Sequence, residues 1–141
     1  MRSPTEAVLE YLIIKVLAGR NDIIKAVHDY FVNGVSPSSV AIKYSLSKHQ
    51  VRGYIQRIVE KTGSVVKAKV LLKYAIPILL KIKPITREVN GYIVKCGLCG
   101  EELPNQIIED HIRKRHASLI DEYLESTIEI IKKNITLRYN G

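Results

Sequence analysis

The sequence is poor in several residue types, and each shortage excludes a class of protein. Its 141 residues include no tryptophan, one phenylalanine, one methionine and only two cysteines. Two cysteines cannot build the disulfide framework that stabilises many small secreted domains. The apolar runs are far shorter than the roughly 20 residues that a membrane-spanning helix needs. We therefore expect a cytoplasmic protein that keeps both thiols reduced and has no membrane as a partner.

Signatures of catalysis are missing as well. The sequence holds no glycine-rich phosphate loop, no nucleophile motif and no paired-carboxylate pattern. His28 is followed by Asp29, but adjacent residues on a helix do not face each other, so this pair is not expected to act as an acid–base dyad. We expect that the protein is not an enzyme and has no small-molecule substrate.

The charge that is present is unevenly distributed. The chain carries 22 Lys and Arg against 14 Asp and Glu, a net charge of +8. Residues 64–95 hold seven basic residues and one acidic residue, whereas residues 96–141 hold six basic and eight acidic residues. A dense basic segment favours a polyanionic partner, because neutralised phosphates release counterions. A lysine-rich face that is merely solvated is the alternative.

Helix start and stop signals fill the first 84 residues. Ser3 and Glu6 form a capping box, Asn21 or Asp22 can cap a second helix, and Pro77 is expected to kink the last helix of the series. Together these signals predict helices that run between residues 3–19, 21–32, 36–44, 47–61 and 64–84.

The periodicity changes after residue 84. Residues 85–89 and 92–96 are β-prone and flank Asn90-Gly91, the strongest short hairpin signal. From residue 105 to about residue 134 the apolar spacing is helical again. We therefore expect a mostly α fold with a small β-hairpin. Its parts are a helical domain (1–63), a basic connecting helix (64–84) and a C-terminal unit (85–141).

The two cysteines belong to the most specific pattern in the chain, C-x2-C-x11-H-x4-H. Its members are Cys96, Cys99, His111 and His116. Two thiolates and two imidazoles are ligands that tetrahedral Zn²⁺ prefers, and full ligation leaves no open position for a catalytic water. A disulfide between the cysteines would be typical of thioredoxin-like enzymes, whose βαβ pattern is missing here. The sequence predicts one structural Zn²⁺.

Residues 92–116 resemble a C2H2 zinc finger, a ββα unit. Leu103 takes the place of the family's core aromatic residue, and Ile108 that of its core leucine. The resemblance places the base-contacting positions of such a finger at Pro104, Gln106, Ile107 and Asp110. One acidic, two apolar and one amide side chain are poorly suited to base contact. We expect this finger to be structural or to bind a partner, although basic residues 113–115 leave a phosphate contact open.

Residues 36–60 combine a short helix, a tight turn and a capped second helix. Val40 and Ala41 supply an apolar–small pair, Leu46 follows the turn, and Val51 is the apolar residue of the second helix. This segment resembles a DNA-binding helix-turn-helix. It departs from the family at Ser45, where a glycine in the left-handed conformation is usual.

The helix-turn-helix resemblance implies that the second helix enters the major groove of DNA. Arg and Lys side chains can contact guanine edges and Gln can contact adenine, while lysines beyond the helix face meet phosphates. The implied DNA-binding residues are Lys48, His49, Gln50, Arg52, Gln56 and Arg57 on the helix, with Lys43 and Lys61 beside it.

Taken together, these patterns predict a sequence-specific double-stranded DNA-binding protein, a transcription regulator with a structural zinc finger. The combination resembles small transcription regulators of archaea and their viruses. One alternative is a protein-interaction adaptor built on the finger and the C-terminal helix, and another is an RNA-binding protein. The apolar stripe of the C-terminal helix favours either a homodimer or packing within the chain.

Overall fold

The computed structural model describes residues 2–140, the last four of them as backbone only, and these form seven helices and three strands. The helices are α1 (Pro4–Leu17), α2 (Asn21–Phe31), α3 (Pro37–Lys43), α4 (Lys48–Thr62), α5 (Val65–Leu79), α6 (Ile108–Arg115) and α7 (Ala117–Asn140). The strands are β1 (Thr86–Glu88), β2 (Ile93–Cys96) and β3 (Glu102–Pro104). The prediction of a mostly helical chain with a small β-structure is confirmed. No helix in this described range has both the length and the apolar character of a membrane span.

Short polar side chains begin most of the N-terminal helices. The hydroxyl of Ser3 accepts from the backbone N–H of Glu6 at 3.2 Å, and the Glu6 carboxylate accepts from the N–H of Ser3 in return. The predicted cap of α2 is wrong: Asn21 is already helical, and the cap is Arg20, which makes no side-chain capping bond. Pro77 lies inside the last turn of α5, where its missing N–H removes one hydrogen bond of that turn, and the helix continues past it to Leu79.

Five long helices share one apolar core. α1 is buried on most sides, and α2, α4, α5 and α7 pack around it or beside it. The largest fully buried side chains in this core include Leu9, Leu12, Ile13, Leu17, Ile24, Ile58, Leu72, Ile76 and Leu79. α7 contributes Ile120, Leu124 and Ile131, which are covered by α1 and α5. The apolar stripe of the C-terminal helix is therefore used within the chain.

The C-terminal helix is interrupted, contrary to the prediction of one helix from residue 105. α6 ends at Arg115, and His116 takes a non-helical conformation (φ −126°, ψ 35°) before α7 begins. Because of this break, the side chains of α7 that face the core are not those that one continuous helix would place there. Leu119 and Tyr123, which continue the stripe of an unbroken helix, are only half-buried, whereas Ile120 faces the core.

A three-stranded antiparallel sheet in the order β1-β2-β3 precedes α6. The predicted hairpin joins β1 to β2, and the Asn90 side chain accepts from the backbone N–H groups of Tyr92 (2.8 Å) and Ile93 (3.0 Å). The third strand is an addition to the prediction. It pairs with β2 so that Leu103 lies opposite Val94, and both side chains pack on the core.

Candidate metal centre and basic helix face

The four residues of the C-x2-C-x11-H-x4-H pattern converge on one point. Their ligand atoms all lie within 4.8 Å of one another. The Sγ atom of Cys96 is 3.3 Å from Nε2 of His116, and that of Cys99 is 3.5 Å from Nε2 of His111. A tetrahedral centre with metal–sulfur and metal–nitrogen bonds of about 2.3 and 2.0 Å separates such atoms by roughly 3.6 Å. These two separations are close to that value, and the four residues together could hold one metal ion.

Backbone hydrogen bonds shape the turn that carries the two cysteines. The N–H of Gly100 donates to the carbonyl of Cys96 at 2.8 Å, and Gly100 has a φ of 77°, a conformation that glycine adopts without strain. The N–H of Gly97 donates to the carbonyl of Ile85 at 2.7 Å. A Cβ atom at Gly97 would lie only 2.9 Å from that oxygen, so the close approach requires glycine. The N–H of Ile85 in turn donates to Leu17 at the end of α1.

Burial and a nearby carboxylate favour the metal-binding form of the two histidines. Cys96 is fully buried and His111 is 9% exposed. The Nδ1 atom of His111 lies 3.5 Å from a carboxylate oxygen of Glu101, which favours the tautomer that leaves Nε2 free to bind a metal. Burial lowers the pKa of His116, and the nearby His111 and Arg115 lower it further. Neutral imidazole is the form that binds metals.

α3 and α4 are joined by a tight turn at residues 44–47. Leu46 donates its N–H to the carbonyl of Ala41 at 2.9 Å, a bond that closes the end of α3 in a Schellman motif. This motif needs a left-handed residue at Ser45, whose φ is 55°. Ser45 thus has the backbone conformation for which the resembling family uses glycine.

A small apolar cluster holds the two helices together. Ala26, Val40, Ala41 and Val51 are its buried members, and Leu46 packs against it. Four of these five residues are those on which the helix-turn-helix resemblance rests. The buried side of α4 is thereby fixed, and its opposite side is left to solvent.

The exposed side of α4 carries the residues predicted to contact DNA. Lys48, His49, Gln50, Arg52, Gln56 and Arg57 are all exposed. Gly53 lies among them, and a Cβ atom placed there would meet no atom within 4 Å. The carboxamide of Gln50 accepts from the N–H of Ser47 as part of the helix cap, and that of Gln56 donates to Glu60 at 2.9 Å. The basic side chains on this face therefore project beside two amides that already have partners.

The two flanking lysines have different surroundings. Lys43 donates to the carboxylate of Asp29 at 2.9 Å, and Tyr44 donates to the same oxygen at 2.6 Å. Asn33 donates to the other oxygen of Asp29 at 3.1 Å. Sequence reasoning missed this arrangement, because Asp29 is 14 residues from Lys43. It ties α2 to the end of α3 and so helps to fix the turn before α4.

Lys61, by contrast, is half-buried beside α1. Its ammonium lies 5.7 Å from the centroid of the Tyr11 ring. It lines a groove of about 460 Å³ between α1, α4 and α6, together with Arg57.

α6 shows a mixed surface. Asp110, at a base-contacting position of the resembling fingers, forms ion pairs with Arg113 and Lys114 on the same helix. Hydrogen bonds from Lys114 and Arg113 hold the pKa of Asp110 below its ordinary value, so that its negative charge is retained. Ile107 is exposed and apolar. An acidic and an apolar side chain are poorly suited to contact a phosphate.

Two parts of the molecule thus carry functional chemistry, namely the four-ligand cluster and the exposed face of α4. α1 contacts both α4, which carries the second of these sites, and α6, which carries His111 of the first. Comparison with known proteins finds no matching family model, no matching curated protein and no matching solved structure.

Proposed function

We propose that this protein is a sequence-specific double-stranded DNA-binding protein that regulates transcription, with α4 as the helix that enters the major groove. The observation that carries the proposal is the α3–α4 unit itself. Its left-handed Ser45 and its buried Val40 and Val51 hold α4 with one face packed and the other free. An exposed helix with a basic face fits the major groove in width and in charge.

Each exposed residue has a role that follows from its chemistry. Lys48 and Arg52, one turn apart, can donate to guanine edges or to phosphates, and Gln56 can contact adenine once it exchanges its bond with Glu60. Gly53 between them lets the backbone approach the duplex. Lys43 can contact a phosphate near the start of α4 once it exchanges its hydrogen bond with Asp29, and such a contact fixes register and carries no sequence information.

We propose further that the ligand cluster holds one structural Zn²⁺. Two thiolates and two imidazoles suit zinc, and with all four ligands the ion supplies cross-linking and no catalysis. Cys96 belongs to β2 and His111 to α6, so these side chains hold the sheet to the helix. His116 lies at the break between α6 and α7 and fixes the direction in which α7 leaves.

The DNA-binding proposal is tested by measuring affinity for duplex DNA over a salt series. The wild-type protein should show log affinity falling linearly with log salt, by about 0.9 for each phosphate contacted. The double variant Lys48→Ala with Arg52→Ala should bind a selected duplex at least about 10-fold more weakly, because each base contact contributes about 1–3 kcal/mol.

The matched control is Lys25→Ala with Arg87→Ala, which removes the same charges from exposed positions on α2 and β1. This control should leave the affinity for the selected duplex within about twofold of wild type. Wild-type protein that shows no salt-dependent duplex binding would contradict the proposal, and so would equal effects of the two double variants.

One observation favours the adaptor as a second candidate function. An apolar groove of about 600 Å³ lies between α5 and the C-terminal half of α7, lined by Val66, Val70, Ile131 and Ile135. Val66 is 72% exposed and Val70 is 54% exposed. A protein partner seated there would give binding that does not depend on nucleic acid. The same salt series with duplex RNA separates RNA binding from DNA binding.

The homodimer through the C-terminal helix stays a prediction. The most buried side chains of α7 face α1 and α5 of the same chain, so a dimer would have to use other residues of this helix, such as the exposed Ile130. Sedimentation equilibrium with Ile130→Asp compared with wild type measures this directly.

A further inference from the structure

The groove between α1, α4 and α6 concentrates positive charge. Five cationic and two acidic side chains line it, a net of three positive charges in a space of about 460 Å³. α1 contributes Lys15, α4 contributes Arg57 and Lys61, and α6 contributes Arg113. The groove is therefore the place where α6, from the proposed metal-binding residues 85–116 (the metal unit), faces the proposed DNA-binding helix α4.

Ion pairs within the groove leave part of this charge available. The ammonium of Lys15 donates to the carboxylate of Glu109 at 2.7 Å, which neutralises both groups and ties α1 to α6. Arg57 and Lys61 form no ion pair with any carboxylate in the described part of the chain. Arg113 is 55% exposed and shares Asp110 with Lys114. An anion that enters the groove therefore meets at least two uncompensated cations.

Two tyrosines, Tyr11 and Tyr54, line the groove. Lys15 lies 5.1 Å from the ring centroid of Tyr11 and 5.6 Å from that of Tyr54. Burial raises the pKa of Tyr11 to about 12, so its phenol stays protonated at neutral pH. Because ammonium groups already lie near these rings, the groove is better suited to an anion than to a stacked base.

The groove is continuous with the exposed face of α4. Arg57 and Lys61 also line a neighbouring depression formed by α4 residues alone, which includes Gly53 and Gln56. A strand of DNA that lies along Gly53 would thus bring its backbone to the mouth of the groove.

We propose that this groove holds one phosphate group of the bound DNA strand, contacted by Arg57 and Lys61 from α4 and by Arg113 from α6. The inference rests on the proposed function. It assigns to the metal unit a contact with the DNA backbone that its own base-contacting positions do not provide. Arg113 thereby fixes the position of the duplex relative to both halves of the molecule.

The test uses Arg113→Ala, since this residue has no part in the contacts from which DNA binding was proposed. Its matched control is Lys114→Ala, which removes one positive charge from the same helix and from the same Asp110 but does not line the groove. Affinity for duplex DNA is measured over a salt series for wild type and both variants. We expect Arg113→Ala to weaken duplex binding and to reduce the magnitude of the salt slope by at most about 0.9, because Arg57 and Lys61 still contact the phosphate, and we expect Lys114→Ala to leave both unchanged. Both side chains are exposed, and thermal unfolding verifies that both variants are folded.

The possible results separate failure of the proposed DNA binding from failure of the groove assignment. If wild type does not bind duplex DNA, the proposed function fails and the phosphate assignment fails with it. If wild type binds and the two variants have equal slopes, the proposed function stands and the groove assignment is overturned. A parallel titration with inorganic phosphate, followed by NMR, tests the other source of this chemistry. Phosphate binding that Arg113→Ala abolishes, with an unchanged duplex slope, would assign the groove to a free phosphate and overturn the DNA contact.

Discussion

The α3–α4 unit and the metal unit of residues 85–116 are stabilised in different ways. α3 and α4 are held by apolar packing, with Val40 and Ile58 fully buried. In residues 85–116 the buried side chains are few, and two of them, Cys96 and His111, are members of the ligand cluster. Because apolar side chains hold α4 in place, its basic residues Lys48, Arg52 and Arg57 stay exposed. A metal ion held by the cluster, as we propose, would use Cys96 and His111 to stabilise the other unit.

The two units also differ in the charge of their exposed surfaces. The exposed face of α4 is basic, whereas α6 begins with Glu109 and Asp110 and directs both carboxylates to neighbouring cations. The most recognisable motif in the sequence is therefore not the best candidate for the partner-binding surface. If the groove holds a DNA phosphate, as we propose, the metal unit contributes to binding through Arg113.

Removal of one proposed metal ligand should have the largest effect on the difference in stabilisation between the two units. Cys96→Ser should reduce bound metal from one ion per chain to none, because apparent zinc-binding free energies of small fingers are about 10–16 kcal/mol and depend on every ligand. Amide hydrogen exchange should then become fast in β1–β3 and stay slow in α1. Leu98→Ser, in the same turn and without a ligand atom, is the control and should retain the metal. Unchanged metal content in Cys96→Ser would show that the cluster is not a metal site.

The reciprocal change removes apolar packing from α4. Ile58→Ala should lower the free energy of unfolding by about 2–5 kcal/mol, the usual cost of such a cavity in a core. Metal content should stay at one ion per chain, because no ligand is touched. Ile42→Ala, at a side chain that is 83% exposed, should change stability by less than about 0.5 kcal/mol. Urea denaturation measures both, and loss of metal in Ile58→Ala would show that the two units are not stabilised separately.

A smaller effect is expected at the carboxylate that ties α2 to α3. Burial raises the pKa of Asp29, but hydrogen bonds from Tyr44, Lys43 and Asn33 outweigh this and place its pKa below the ordinary value. Asp29→Asn should therefore cost about 1–3 kcal/mol at pH 7. Because the folded pKa is the lower one, this stabilisation is present above about pH 4 and is lost as the pH falls through the folded pKa.

Urea denaturation of Asp29→Asn at pH 7 and at pH 3 verifies this dependence. The difference in stability between wild type and Asp29→Asn should shrink at the lower pH. Glu122→Gln, at an exposed position on α7, is the control and should show little change at either pH. A difference that is the same at both pH values would mean that the charge of Asp29 does not stabilise the α2–α3 connection.

The smallest expected effect is at the turn before α4. Ser45→Gly should raise the free energy of unfolding by about 0.5–1 kcal/mol, because glycine takes the left-handed conformation without the cost that serine bears. Ser38→Gly, inside α3, should instead lower stability by roughly 0.5 kcal/mol. Thermal unfolding distinguishes the two. A loss of stability in Ser45→Gly would mean that the serine side chain contributes more to the turn than its backbone strain costs.

Features encoded by neighbouring residues could be predicted from the sequence. Serine caps begin α1, α3, α4 and α5, and Asn90-Gly91 makes the hairpin turn, because each depends on contacts within a few residues. The ligand cluster could also be predicted, since short spacings limit where the two cysteines can lie. β3 could not, because Glu102 and Pro104 have low β-propensity and pair only after the cysteine turn brings them against β2.

Features that depend on distant parts of the chain were not predictable. The apolar period continues through His116, and the break there becomes visible only when its side chain is turned toward the cysteines. The groove needs Tyr11, Arg57 and Arg113 together, three residues separated by dozens of positions. The sequence around any one of these residues does not indicate that the other two lie near it in the fold.

The packing of α7 on α1 has a consequence for the synthesis of the chain. A ribosome adds the residues of α1 about 100 positions before those of α7, which at 5–20 residues per second is a delay of roughly 5–20 s. During that time the face of α1 that Ile120 and Leu124 later cover stays open, even though α3 and α4 are already complete. The core closes only after α7 has been synthesised. Aggregation or chaperone binding during translation should therefore involve α1 first.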